Sequence, residues 1–320
     1  MTLSFVKGIE KAPVSVKHMI HRKLAGMEAP RPHRPLRAST LLKKGYEFCP
    51  REHALMDLGQ SQIKAEFVGT SLRYTFDHGK DAEKRVRNVY LRQEAVGHWK
   101  CRVCKHVDPA FGHCPDPKPC PKCGYKFHWE YLEPEFDHAA TEVQCHIDVL
   151  VKVPDRTKLH LLELKTMAGD EFKKLAAPLA EHKLRTNLYL QLIAQSDWEG
   201  TQRVDTSEAS ILYVSKAFGC KDEGLSIAKV KDAPFSPFKE FIIKRDDTLN
   251  EVTMARARVL KVWRDLPKPD GLPGGICQST MDVRAKQCGA CVACFSAKFP
   301  ATLTWPESGV AKHPGKTLVT

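Results

Sequence analysis

Four cysteines stand in two C-x2-C pairs, Cys101/Cys104 and Cys120/Cys123, with 15 residues between the pairs. Two such knuckles bring four thiolates to one point, the tetrahedral set of a structural Zn²⁺. Cys114, His106 and His113 lie between the pairs and are the alternative ligands. The second knuckle, CPKCG, ends on the glycine that its tight turn needs. A metal is expected because the stretch 98–135 is too short to fold by burial alone. The opening, MTLSFVKGIEKAPVSVKHMI, lacks the apolar core of a secretory leader. Tight cysteine pairs in such a chain read as metal ligands rather than disulfides, so a reducing, cytoplasmic setting is expected.

Composition narrows the partners. The 320 residues are 42% hydrophobic and 28% charged, enough for a large domain with insertions or two modest ones. No apolar run approaches the roughly 18 residues of a membrane span, so no membrane role is expected. The net charge of +12 points to a polyanion, nucleic acid before membrane. Within 98–135, Lys100, Arg102, Lys105, Lys118, Lys122 and Lys126 interleave with Trp99, Phe111, Tyr125, Phe127 and Trp129. Cations can hold phosphates and aromatic rings can stack bases. Lys100, Arg102, Lys122 and Trp129 are the leading candidates; a plain structural staple, with its aromatics packed on the knuckles, is the other reading.

Periodicity divides the rest. Residues 1–38 read as a basic flexible arm and 39–97 as helical. The helical part includes Pro50 to Leu58, and 76–95 with Val86, Val89 and Tyr90 spaced for one buried face. The self-contained insert 98–135 follows. Residues 136–245 carry alternating strands around a helix at about 179–196. A last helix and a cysteine cluster fill 246–298, and 299–320 is a tail. The fold class is α/β (α+β): a central mixed β-sheet flanked by helices, plus a small zinc-ribbon insertion.

Strands over 141–153 and 158–166 form a hairpin across Pro154–Thr157. With the turn centred between Asp155 and Arg156, Asp148 stands opposite Glu163. Like charges facing across a strand pair are destabilising unless something neutralises them. A divalent cation with oxygen ligands does so. Lys165 lies two residues beyond Glu163, on the same face. Leu161, Leu162, Leu164, Val149 and Val151 supply apolar surroundings; an ordinary half-exposed hairpin with a charge pair is the alternative.

Asp148 followed by Glu163-Leu164-Lys165 resembles the bipartite motif of the PD-(D/E)XK nucleases. The surrounding order is similar to the RecB-like branch, which includes CRISPR-associated and phage recombination exonucleases. Gly79-Lys80-Asp81-Ala82-Glu83 resembles that branch's upstream G-x-x-x-E, which implies that Glu83 helps bind metal, with His78 the runner-up. Arg185-x-x-x-Tyr189 resembles its Q-x-x-x-Y, with Arg185 where Gln is expected, an exchange suited to holding a phosphate. Cys49-Pro50-Arg51 with Cys288, Cys291 and Cys294 resembles the iron–sulfur members. The resemblance covers about 39–95 and 140–296. It implies a restriction-endonuclease-like core and a metal-dependent DNA nuclease, most directly an exonuclease on ends or single strands. Glu83, Asp148 and Glu163 would hold Mg²⁺ or Mn²⁺, and Lys165 and Tyr189 would serve the site. Replication, recombination or repair in a prokaryotic or phage-infected host cytoplasm is implied, with a helicase or single-strand annealing protein as partner.

Thiolate crowding at Cys277, Cys288, Cys291 and Cys294 suits an iron–sulfur cluster or a second zinc. The resemblance implies [4Fe–4S] with Cys49 as fourth ligand; Cys277 is the alternative. Cys145 and Cys220 read as core. No G-x4-GK[ST] loop is present, so ATP-driven unwinding is not expected. A non-catalytic nucleic-acid-binding protein is the competing reading. An iron–sulfur redox protein is a third, with no flavin or nicotinamide fingerprint behind it.

Overall fold

The computed structural model describes residues 36–42, 47–60, 70–198, 200–216, 236–266, 271–296 and 301–303. Most of the expected basic arm, Cys220 and most of the expected tail lie outside these residues.

Helices α1 (Ala38–Leu41) and α2 (Pro50–Asp57) precede the long α3 (Thr70–Arg85). Pro50 opens α2 with its fixed φ, at a position where no N–H is needed. Helix α3 runs into a π-helical turn, Val86–Tyr90, in which the Leu91 N–H donates to the Val86 carbonyl at 2.9 Å. This turn corrects the expected buried face. Val86 is buried, but Val89 and Tyr90 are 63% and 56% exposed. The wider i→i+5 turn shifts the helical phase, so a 3.6-residue period carried through it misplaces both side chains.

Strands β1 (Val96–Cys101), β2 (Gly112–His113) and β3 (Trp129–Leu132) form a small sheet in the order β2-β1-β3. Strands β4 (Glu135–His138) and β5 (Val143–His146) pair as an antiparallel ribbon. Next come β6 (Val149–Val151), β7 (Leu159–Met167), α4 (Gly169–Lys174), α5 (Ala180–Ala194), β8 (Val204–Ser215) and β9 (Phe238–Lys244). The central sheet runs β6-β7-β8-β9. Its β7–β8 pair is parallel, with α5 in the crossover, and its two outer pairs are antiparallel. Helix α6 (Glu251–Asp265), β10 (Leu272–Pro273), α7 (Val283–Lys286), α8 (Cys291–Cys294) and β11 (Ala301–Leu303) complete the chain. The architecture is therefore a mixed sheet flanked by helices, as expected. Among the described residues, no helix is long and apolar enough to cross a membrane.

Strand β7 is buried on both faces over Leu159–Leu164. On one side, Leu161 joins a core with α5 (Leu188, Leu192) and α6 (Ala257, Leu260). On the other, Leu162 and Leu164 pack with Val86, Trp99, Trp129 and Tyr131. The insert is thus not self-contained. Its strands β1 and β3 share an apolar core with the central sheet. Phe111 stands edge-on to Trp198 at 5.8 Å and adds a further tie.

Candidate active site

Val149 faces Leu162, Leu150 faces Leu161 and Val151 faces His160. This register, carried one step further, sets Asp148 opposite Glu163. The single strand expected over 141–153 is broken at Ile147–Asp148. There the chain leaves its partner β4 and takes up β7. The Asp148 side chain fills the gap in the ladder, and its Oδ2 accepts the Leu164 N–H at 2.7 Å.

The charges converge in a poorly hydrated place. The Glu163 side chain is 2% exposed, and its Oε1 lies 2.5 Å from Lys165 Nζ. The same Nζ is 3.7 Å from Asp148 Oδ2 and donates to the Leu164 carbonyl at 2.9 Å. Glu163 Oε2 is buried with no hydrogen-bond partner. Burial first, then the Asp148 charge, pushes the Glu163 carboxyl up to about 7. Burial pulls Lys165 down, but Glu163 and Asp148 outweigh it, and its net displacement is upward. One cation does not balance these carboxylates.

Glu83 reaches the same place because α3 crosses β7 closely at Gly79. A Cβ there would meet Thr166 Oγ1 at 2.7 Å, so a larger residue would have to displace the Thr166 side chain. Glu83 follows one turn later. Burial, then the Asp148 charge, raises it to about 7, with Lys165 and Arg87 acting the other way. The Asp148 charge thus acts on both Glu83 and Glu163. Among the described residues, only the insert's four cysteines bring three or more ligand atoms within 4.8 Å of one another; Asp148 and the buried, unpartnered oxygen of Glu163 offer hard oxygen donors of the kind a divalent cation takes. His78, the alternative to Glu83, instead has its ring parallel to Tyr74 within 5°, centroids 6.5 Å apart.

Helix α5 brings Arg185 and Tyr189. Tyr189 is 7% exposed and part of the main core. Its hydroxyl is pushed well above its ordinary value by burial, then by Glu163 and Asp148, against Arg185. Arg185 Nε is buried and without a hydrogen-bond partner. Sequence reasoning missed Arg87. The π turn directs it inward, where Nη1 pairs with Glu133 and donates to the Asp148 carbonyl at 3.3 Å. It also missed Tyr213, which faces Lys165 across β7–β8 and whose hydroxyl lies 2.8 Å from His182 Nδ1. The His182-x-x-Arg185 spacing was the one available signal, since residues three apart share a helix face.

In the insert, the sulfurs of Cys101, Cys104, Cys120 and Cys123 all lie within 4.8 Å of one another. The backbone builds the knuckles: the Lys105 N–H donates to Cys101 O at 2.9 Å, and the Gly124 N–H to Cys120 O at 2.8 Å. Each knuckle turns through a positive φ, +63° at Lys105 and +75° at Gly124. The alternative ligands are engaged elsewhere. Cys114 donates to Asp116, His113 Nδ1 lies 3.0 Å from the Gln93 carbonyl oxygen, and the His106 ring lies against Trp129. The chemistry of four converging thiolates is that of a metal site.

Cys49, Cys277, Cys288, Cys291 and Cys294 line one pocket. Arg51 Nη2 donates to the Cys294 carbonyl at 3.2 Å and Nη1 to that of Pro273 at 3.4 Å, fastening the C-terminal segment to α2. Burial raises the Cys49 thiol and lifts that of Cys288 to about 12. Cys145 is buried in the main core, as expected.

The candidate nucleic-acid contacts divide. Arg102 and Lys122 are exposed, and Lys100 is half-buried on β1 opposite Glu130. Trp129 is a correction. It is 3% exposed, its indole N–H points at the Lys118 carbonyl, 3.4 Å away, and its ring belongs to the shared core. No face of it is open to a base.

No protein-family model matches the chain, and no curated protein does. Among solved structures it is similar to the crystal structure of LHK-Exo in complex with dAMP. The two are 13% identical, and the match covers 76% of this chain and 90% of that one, with a TM-score of 0.35.

Proposed function

We propose that the protein is a metal-dependent DNA nuclease of the PD-(D/E)XK kind, an exonuclease acting on ends or single strands. The observation that carries this reading is the buried, unpartnered Glu163 Oε2 beside Asp148, the two carboxylates sharing Lys165. Glu83, Asp148 and Glu163 would hold one or two Mg²⁺ or Mn²⁺ ions. Such ions, when bound, polarise a phosphoryl oxygen and make water acidic enough to attack at neutral pH.

The chain's own groups do the rest. Lys165, held 2.5 Å from Glu163 and 3.7 Å from Asp148, places a fixed cation where charge develops on a scissile phosphate. Arg185 offers a second cation from α5, suited to a non-bridging oxygen. Tyr189 stays protonated through the physiological range, beside the field of Glu163 and Asp148. Arg87 holds the Asp148 backbone by its carbonyl.

The four knuckle cysteines would hold Zn²⁺, and Cys288, Cys291 and Cys294 with Cys49 or Cys277 a [4Fe–4S] cluster. Each thiolate of such a cluster binds its own iron, which suits five sulfurs spread around a pocket better than one shared ion. The resemblance adds the setting: replication, recombination or repair in a prokaryotic or phage-infected cytoplasm, beside a helicase or an annealing protein.

The test is cleavage of end-labelled single- and double-stranded DNA with Mn²⁺ or Mg²⁺, with the Glu163→Ala protein run alongside. The expected result is metal-dependent cleavage reduced on the order of 10²–10³-fold or more in the variant. Binding without cleavage, equal in both proteins, would refute the reading and favour a non-catalytic nucleic-acid-binding protein.

A further inference from the structure

The insert holds its aromatic residues in two environments. Trp99 and Trp129 are 0% and 3% exposed, whereas Tyr125 and Phe127 are 55% and 68% exposed. Phe127 also has a φ of +58°. A bulky side chain rarely adopts that left-handed region, and it persists only where its surroundings impose it.

The surroundings here are specific. The Phe127 N–H donates to Asp116 Oδ1 at 3.0 Å. The other Asp116 oxygen is ion-paired with Arg92, whose Nε lies 3.0 Å away. Arg92 also donates to the Trp129 carbonyl at 2.9 Å and to that of Asn88 at 3.3 Å. A buried carboxylate therefore fixes Phe127 from beneath and connects it to the end of the helix that carries Glu83. A strained backbone and an apolar ring in water both oppose folding, so packing does not account for this residue. Arg102, Lys105, Lys118, Lys122 and Lys126 are exposed on the same insert. Tyr125 presents a second ring, edge-on to His128.

We propose that this knuckle end is a binding site for single-stranded nucleic acid, with Phe127 stacking on an unpaired base while the neighbouring cations hold phosphates. Cations match the polyanion, and a rigidly presented ring matches a base face that is free only where the strand is unpaired. The proposal rests on the reading of nucleic acid as substrate but not on cleavage.

The experiment uses the full chain carrying Glu163→Gln. It measures binding of a single strand containing 2-aminopurine and of a blunt duplex of the same sequence. Phe127→Gly removes the ring and suits the positive φ. It is expected to keep zinc and to melt no lower than its parent, yet to bind the single strand roughly 5- to 150-fold more weakly, with duplex binding little changed. Quenching of 2-aminopurine on binding should vanish with Phe127→Gly and persist with Phe127→Trp. Unchanged single-strand affinity, an equal loss on duplex, or a fall in melting temperature with Phe127→Gly would each overturn the proposal. Cleavage separates the two readings. A protein with native Glu163 that never cleaves, while Phe127 still governs binding, defeats the nuclease reading alone. Normal metal-dependent cleavage with binding indifferent to Phe127 defeats this site alone.

Discussion

Replacing Glu163 by glutamine tests the electrostatics of the site without assuming its chemistry. Glutamine keeps the size and one acceptor but cannot ionise. In the native protein burial and Asp148 displace the carboxyl from 4.5 to about 7. The folded state therefore binds a proton over that interval that the unfolded chain releases, and stability falls as pH rises through it. At about 1.4 kcal/mol per tenfold change in proton affinity, the ionised Glu163 costs the fold about 3 kcal/mol by pH 8. Most of this, about 2–3 kcal/mol, accrues between pH 5 and pH 8. Glu83 titrates over a similar interval but is present in both proteins, so its contribution largely cancels in the difference. The assay is thermal unfolding of both proteins without added Mg²⁺ or Mn²⁺. Near pH 5 the two should melt together, and at pH 8 Glu163→Gln should melt higher by roughly 5 °C. Added Mn²⁺ should then raise the native protein and narrow or reverse the gap, by about 2.7 kcal/mol at one hundred times its dissociation constant. A difference independent of pH, or equal stabilisation of both proteins by Mn²⁺, would refute the argument that Glu163 is a strained, cation-seeking carboxylate.

Two further outcomes follow from the packing and the cysteines. Gly79→Ala should push α3 and the Thr166 side chain apart, because its Cβ would meet Thr166 Oγ1 at 2.7 Å. Cleavage should fall at least tenfold, and the Gly79→Ala/Thr166→Ala protein should recover part of it; a failure of that rescue would mean the contact is not what positions Glu83. Cys101→Ser should release zinc and leave iron, whereas Cys291→Ser should release iron and leave zinc, as read by metal analysis of anaerobically purified protein. Loss of one metal from both variants, or of neither, would contradict two separate sites.

What could be read from the chain beforehand was whatever depends on neighbours in sequence. The knuckles are local, so their cysteines and Gly124 announced them. The hairpin register was legible because side chains alternate with a period of two and Pro154-Asp155 marks the turn. Features set by distant partners were not legible. The π turn has no signature in VRNVY, yet it turns Arg87 toward Asp148 and leaves Val89 and Tyr90 in solvent. Five aromatics among lysines looked alike in sequence. Whether each faced a core or the solvent depended on β6 and β7, which lie on the far side of the insert's own fold.

That dependence also explains why the insert and the carboxylates are best treated as one mechanical unit. The Tyr131 hydroxyl donates to the Val96 carbonyl at 3.1 Å and accepts the Leu150 N–H at 3.1 Å, joining β1 to β6 two residues beyond Asp148. The backbone N–H of the same tyrosine donates to Asn88 Oδ1 at 2.7 Å, in the π turn that follows Glu83. One residue of β3 thus touches the supports of two of the three acidic groups. The knuckle cysteines pack in the apolar cluster that contains Val149, Leu162 and Leu164, residues that flank Asp148 and Glu163. A change of shape at the thiolate site therefore has a packed route to the carboxylates, through Trp129 and Tyr131 on one face of a short strand.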